Sequence, residues 1–272
     1  MRRAHLIMRC ITIAALALSA AMGATRPAAA QSFDVEYSLS LLGLHFGAAS
    51  MTGHFTGDHY KMRAGAKLIG IASMISRSSG AVTSSGSIVD GKIYPATFAS
   101  IMTDPRSTRT TRIAIKDRNV TGLDIAPPLG PISGRVPLTA ASQRGIIDPL
   151  SAALIVGANK QVPFGPQSCN TTMPIFDGFV RYNIVMSFAA LSTIKVRGYR
   201  GPAVICSAHY EPIAGYVPSR PQVRYMQKHE NIRVWLAPVK GTNLSIPLHV
   251  RIATIIGTID LTAKTFISNF AK

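Results

Sequence analysis

Acidic residues are scarce in this chain: 12 Asp and Glu stand against 29 Lys and Arg in 272 residues, a formal charge of +17. So few carboxylates leave little material for acid/base pairs or for an oxygen cage around a hard cation. Cysteine is rarer still, with three, and no C-x-x-C occurs, which removes the spacing of a zinc knuckle or a dithiol redox centre. There is no G-x-S-x-G elbow, no glycine-rich phosphate loop and no H-E-x-x-H. One S-x-x-K occurs, Ser192 to Lys195. No S-D-N or K-T-G follows and its surroundings read as strand and turn, so it is a coincidence of spelling. The positive charge is spread along the chain without a block of five or six. With no aromatic-interleaved basic motif and no helix-turn-helix spacing, a nucleic-acid partner is not expected. No cofactor is implied.

One apolar run stands out, and it is N-terminal. Arg2, Arg3 and Arg9 precede an apolar stretch from Cys10 to about Met22, and Ala28 and Ala30 occupy A-x-A positions before Gln31. That is the layout of a cleavable secretory signal peptide over residues 1–30, too short for a spanning helix, which needs roughly 20 apolar residues. Cleavage after Ala30 takes away four arginines and no acid, leaving 25 basic against 12 acidic residues, about +13. The expected location is periplasmic, with no transmembrane segment in the mature chain. A basic exported protein can meet a membrane surface or an anionic envelope polymer. Cys10 leaves with the peptide, so Cys169 and Cys206 remain, an even count in an oxidising compartment. A Cys169–Cys206 disulfide is the favoured reading, with a reactive thiol or a metal ligand as the alternatives.

The 242 residues from Gln31 to Lys272 read as one β-rich domain. Phe33, Val35, Tyr37, Leu39 and Leu41 alternate with polar residues, the period of a half-buried strand. The apolar phase flips at Leu41-Leu42-Gly43, where a bulge or tight bend is expected. Gly57-Asp58, Asp90-Gly91 and the Asp117–Asn119 stretch mark hairpin turns. Residues 126–145, with Pro127, Pro128, Pro131 and Pro137, read as a long surface loop. One short helix is expected at about 148–158, opened by Asp148 and Pro149. Val223–Glu230, Ile232–Leu236 and Leu248–Ile256 continue the strand series.

Few residues suggest a site. Asp177-Gly178 has turn chemistry, and beside it Asp177, Arg181 and Tyr182 could form a ligand- or partner-contacting rim. Trp235, the only tryptophan, lies on a strand face with Arg233 and Ala237, where it either packs in the core or anchors a ligand or partner. His54, Asp58 and His59 sit at a hairpin tip and read as solvated. His209 and Glu211 flank Tyr210 close to Cys206 and could form an acid/base pair.

The segments YSLSLLGLHFGAASM, SSGSIVDGKIYPATFAS, DPLSAAL, IFDGFVRYNI, GPAVICSAHYEPIAGY and VWLAPV span nearly the whole mature chain in order. They resemble an exported proteobacterial family, domain of unknown function 3108 (DUF3108). The resemblance implies an exported β-sheet protein and names no reaction. By fold analogy it implies a mainly β fold with one strongly curved antiparallel sheet, a half-open barrel or β-spiral. The expected role is non-catalytic: a periplasmic protein of the cell envelope whose curved sheet holds a lipid, an envelope polymer or a periplasmic protein partner in a groove. The alternative is an envelope hydrolase or transferase using His209, Glu211 or Asp177, which requires at least two of these within hydrogen-bond reach.

Overall fold

The computed structural model describes residues 31–70, 72–73, 77–157, 164–228 and 230–270; the expected signal peptide, 1–30, lies outside them. The chain runs first through β1 (Gln31–Leu41), β2 (Leu44–Thr56), β3 (His59–Leu68), β4 (Ser79–Val89), β5 (Lys92–Asp104), β6 (Ser107–Lys116) and β7 (Asn119–Ala126). Each pairs antiparallel with the next, and the turns fall at Gly57-Asp58, Asp90-Gly91 and Asp117-Arg118 as their chemistry predicts. The phase flip at Leu42-Gly43 is the β1–β2 turn itself. A long connection leads to β8 (Ile155–Val156), β9 (Thr171–Phe176), β10 (Arg181–Val196), β11 (Tyr199–Ala214), β12 (Ile232–Pro238), β13 (Leu244–Thr254) and β14 (Gly257–Asn269). β9 to β14 form a second meander. β14 pairs antiparallel with β1, joining both meanders into one 14-stranded sheet whose edges are β7 and β9, with β8 attached to β13.

Alternation decides what each face does. The rows Phe33–Gly53–Met62–Ser84–Phe98–Ile113 and Val35–Met51–Ala64–Val82–Ser100–Thr111 cross six strands on the inner face. Gly53 is required there, because a Cβ would lie 2.5 Å from the Phe33 ring. Phe176, Ile246, Leu248 and Phe266 from the second meander pack into the same core. The concave side is therefore filled with side chains. Each large apolar group removed from water contributes about 1.5–3 kcal/mol.

The edges β7 and β9 do not pair; a strap joins them. The Ile146 amide donates to the Arg118 carbonyl at the β6–β7 turn (2.8 Å), the Ile147 amide to Pro174 in β9 (2.8 Å), and the Phe176 amide back to Ile147 (3.0 Å). Upstream, the Val136 amide donates to the Tyr216 carbonyl and the Gly215 amide to the Val136 carbonyl, and Arg135 donates to the carbonyls of Gly215 and Phe179. The expected surface loop thus has backbone groups tied to both sheet edges. Gly178 in the β9–β10 turn packs against β6 so closely that a Cβ would lie 2.7 Å from Thr111 Cγ2, and Arg109 of β6 lies over the Phe179 ring.

The strap ends in a buried polar cluster. Asp148 is fully buried; its Oδ1 accepts the amides of Leu150 (3.0 Å) and Ser151 (2.9 Å), and its Oδ2 accepts the hydroxyls of Ser84 (2.9 Å) and Ser151. Tyr60 shares a 2.6 Å hydrogen bond with Ser151. Burial pushes the Asp148 carboxyl above its ordinary range, although the four donors oppose the shift.

Two helix expectations are corrected. Asp148 does accept the first free amides, but 148–158 is not an α-helix: a single 3-10 turn, Ser151–Ala153, is followed by β8. Leu154 enters the main core while Ile155 enters a second cluster, an alternation no single helical stripe provides, and Ile155 and Val156 pair with Ser245 and Leu244. An α-helix, α1, runs over Pro221–Lys228 instead, where a strand was expected over 223–230. Pro221 suits a first helical position, and Met226 packs against the cluster around Cys206.

Cys169 and Cys206 are bonded (S–S 2.03 Å, Cα–Cα 5.3 Å) and fully buried. The crosslink fastens the segment before the edge strand β9 to β11, spanning β10 between them.

Two predictions follow from this architecture. Because the Asp148 pKa is raised on folding, its contribution is full below the unfolded carboxylate range and is lost as pH rises through the folded value. The melting temperature of wild type minus that of Asp148→Asn should fall across that rise, and a difference independent of pH would contradict the buried carboxyl. Replacing both cysteines by alanine should cost about 4 kcal/mol in denaturant unfolding, the chain-entropy value for a loop of this length; a loss under about 1 kcal/mol would contradict the role given to the crosslink.

Candidate functional site

The core fills much of the inner face, and the outer face carries cavities of its own. On the outer face one row of residues crosses eight strands: Trp235–His249–Thr262–Ser38–Ala48–Lys67–Ser79–Thr103. Beside it runs Glu36–Ser50–Gly65–Ala81–Ile101. Outward positions on strands usually carry charged or branched polar side chains; Ala48, Gly65, Ser79 and Ala81 leave a hollow instead. A 770 Å³ cavity occupies it, lined by both rows, with an apolar floor and with His45, Lys67 and Lys264 on its margin. A second cavity of 460 Å³ lies between the tip of β10 and the Trp235–His249 pair, and Lys264 lines both. Together they form a trough along the outer face.

The Trp235 end of the trough is built by a β-bulge. The register slips between Trp235 and Leu236, placing Trp235 opposite His249 while Leu236 turns into the core. The two rings stack, 4.2 Å between centroids and 19° from parallel. His249 Nε2 lies 2.6 Å from Asp260 Oδ1, which also accepts from Arg251 Nε at 2.8 Å. Partial burial opposes ionisation of Asp260, but the bonds from His249 and Arg251 hold its carboxyl below the ordinary range. Trp235 is thus part-exposed and braced by a held imidazole. The β10–β11 tip that walls this end is docked by Arg197, which bonds Thr265 and Glu36 and exchanges backbone bonds with β14.

The other candidates do not converge on this trough. Asp177 Oδ1 accepts the amides of Phe179 and Val180, both at 2.7 Å, so it holds the β9–β10 turn, and burial raises its pKa. Arg181 donates to the Tyr182 carbonyl (2.7 Å) and Asn183 Oδ1 (2.8 Å). Tyr182 packs on Tyr210, 5.3 Å between centroids, in a small apolar cluster with Ile147 and Ile175. His209 and Glu211 share one face of β11, and Tyr210, which feels the charge of Asp177, faces the other way. Among the described residues no hydrogen bond joins any two of Asp177, His209 and Glu211, and Glu211 instead accepts from Asn183 (3.3 Å). His54, Asp58 and His59 are exposed at their tip. A 970 Å³ opening at the opposite end of the sheet has a mixed lining that includes Asp58 and Asp90. Among the described residues, no group of three or more potential ligands forms a metal site.

Sequence reading missed Lys67, Lys264 and the small outward residues. Their signal was present as Ala, Gly and Ser at outward positions of β2 to β4, but it becomes a site only once cross-strand register aligns them.

No curated protein matches the chain. A solved structure similar to it is the crystal structure of a beta-barrel-like protein of domain of unknown function DUF1849 from Brucella abortus, 9% identical, with a TM-score of 0.49 over 89% of this chain and 99% of that one. The family model described as "Protein of unknown function (DUF3108)" matches residues 32–264, from the start of β1 to the Lys264 that both cavities share. The chain belongs to the DUF3108 family.

Proposed function

We propose that this protein is a non-catalytic, periplasmic binding protein of the cell envelope that holds one elongated anionic amphiphile, a lipid, in the outer trough. The reading rests on one observation: two cavities of 770 and 460 Å³ share Lys264 and follow the same cross-strand rows. An apolar floor of small side chains suits an acyl chain, which needs area and no specific hydrogen bonds. Lys67 and Lys264 on the margin suit a phosphate or carboxylate headgroup. None of the enzyme alternative's candidates lines the trough: Asp177 is spent on its turn, and His209 and Glu211 lie on β11. The acid/base pair that does reach the trough, His249 with Asp260, braces Trp235.

The Trp235–His249 stack supports a second reading, in which a ring of an envelope polymer lies on that platform. One experiment separates the two. Native mass spectrometry of protein purified from its own periplasm should show a lipid adduct that organic solvent extracts. Ala81→Trp fills the floor from an outward position and should lower lipid occupancy about tenfold or more, the factor that about 1.4 kcal/mol of lost contact gives, with an unchanged far-UV spectrum. Recovery of bare monomer, or an adduct that survives in the Ala81→Trp variant, would contradict the lipid reading; a saccharide adduct lost on Trp235→Ala would establish the other.

A further inference from the structure

At one end of the sheet two hairpin tips lie side by side. The β1–β2 turn, Leu41 to Leu44, and the β13–β14 turn, Thr254 to Gly257, are joined by the Leu42 amide donating to the Thr258 carbonyl at 2.8 Å. Four large apolar side chains project from them: Leu42 is 68% exposed, Leu44 76%, Ile255 52% and Ile256 64%. Isolated exposed leucines are ordinary, but four on adjoining tips form a patch.

The turn chemistry makes the patch harder to dismiss. Leu42 has φ +51° and Gly43 φ +82°, left-handed at both central positions. Such a turn favours Asn-Gly or Asp-Gly, and a leucine there carries conformational strain. The same chain makes the same kind of turn with Asp90-Gly91, φ +49° and +73°. Leu42 thus bears a backbone penalty as well as the cost of facing water, and neither is needed to form the hairpin. The neighbouring tip allows for it: a Cβ on Gly257 would lie 2.5 Å from Leu42 Cδ2. The turns at the opposite end, Gly57-Asp58, Asp90-Gly91 and Asp117-Arg118, are polar and carry acids.

Charge identifies the occupant. Lys67 and Arg77 line a cavity at the apolar end, where β3 leads into β4. Helix α1 brings Arg220, Arg224 and Lys228 to the same end, since Asn231, just beyond it, accepts from the amide of Ala253 next to the β13–β14 tip. All five are exposed, and among the described residues none is in an ion pair. Protruding apolar points ringed by cations match a surface that is soft, apolar beneath and anionic on top. We infer that the tips Leu42–Leu44 and Ile255–Ile256 insert into the headgroup region of an anionic lipid bilayer, with the surrounding Lys and Arg side chains on its phosphates. The inference shares Lys67 with the lipid reading of the trough and otherwise rests on the tips.

Flotation of the purified protein with vesicles tests it, using phosphatidylcholine alone and equal parts phosphatidylcholine and phosphatidylglycerol. The protein should float with the anionic vesicles and much less with the neutral ones. The double variant Leu42→Asn/Ile256→Asn should lose roughly tenfold in affinity per side chain. Because asparagine tolerates the left-handed turn, its melting temperature should hold or rise, so loss of binding cannot be read as misfolding. The variant Ala81→Trp should float like wild type, which keeps the trough and the tips separable. The proposal is overturned if wild type stays at the bottom, if it floats equally with neutral vesicles, if the double variant floats unchanged, or if the double substitution abolishes a dimer in solution and leaves vesicle binding intact.

Discussion

A sheet that curls this far must deal with two edges, and the backbone bonds at its seam determine the rest of the molecule. β7 and β9 each offer a row of amide and carbonyl groups, and an unpaired row is both costly when buried and a template for aggregation when exposed. The strap around Ile146 and Ile147 bonds to β9 and to the β6–β7 turn at once, without the ladder a closed barrel would need. Its C-terminal end is fixed from inside the core, where Asp148 holds Ser84 and Ser151 and, through Ser151, Tyr60. The Cys169–Cys206 bond fastens the segment before β9 to β11 from the other side.

Once the seam is drawn together, the inner face packs on its own side chains, apart from the 970 Å³ opening at one end, and the proposed recognition falls to the outer face. Phe33, Tyr60, Phe176 and Phe266 fill much of that inner face. The outer trough exists because small residues occupy outward positions on neighbouring strands, and because a bulge brings Trp235 opposite His249. The two ends also differ: the β2–β3, β4–β5 and β6–β7 turns at one end carry acids, while leucines and isoleucines stand out at the β1–β2 and β13–β14 tips of the other.

Much of the fold was legible because β structure writes itself into local sequence. Period-two alternation located β1, Asp-Gly and Gly-Asp pairs located hairpin turns, and two cysteines in a chain expected to be exported pointed to their bond. What misled was the stretch from Asp148 to Val156, where a proper helix start precedes residues whose burial is decided by β13 and by two separate clusters. Pro221–Lys228 misled in the opposite sense, since eight mostly polar residues, too few for a helix stable on its own, take their conformation from neighbours. The site was less legible than the fold. Asp177 and Tyr182 carry sequence signals that turn out to serve the turn and the core, whereas Lys67, Ala81 and Lys264 become neighbours only through register set across five strands. Trp235 was visible as a candidate from its face, but its histidine partner was not.

Hydrogen exchange at the seam tests the central claim most directly. If the strap closes the sheet, the amides of Ile146, Ile147 and Phe176 should exchange as slowly as those of the β1–β14 ladder, through opening close to global unfolding. Exchange at the rate of the exposed hairpin turns would mean that the edges part freely and the interior is accessible, and the assignment of the inner face to core and the outer face to recognition would fail.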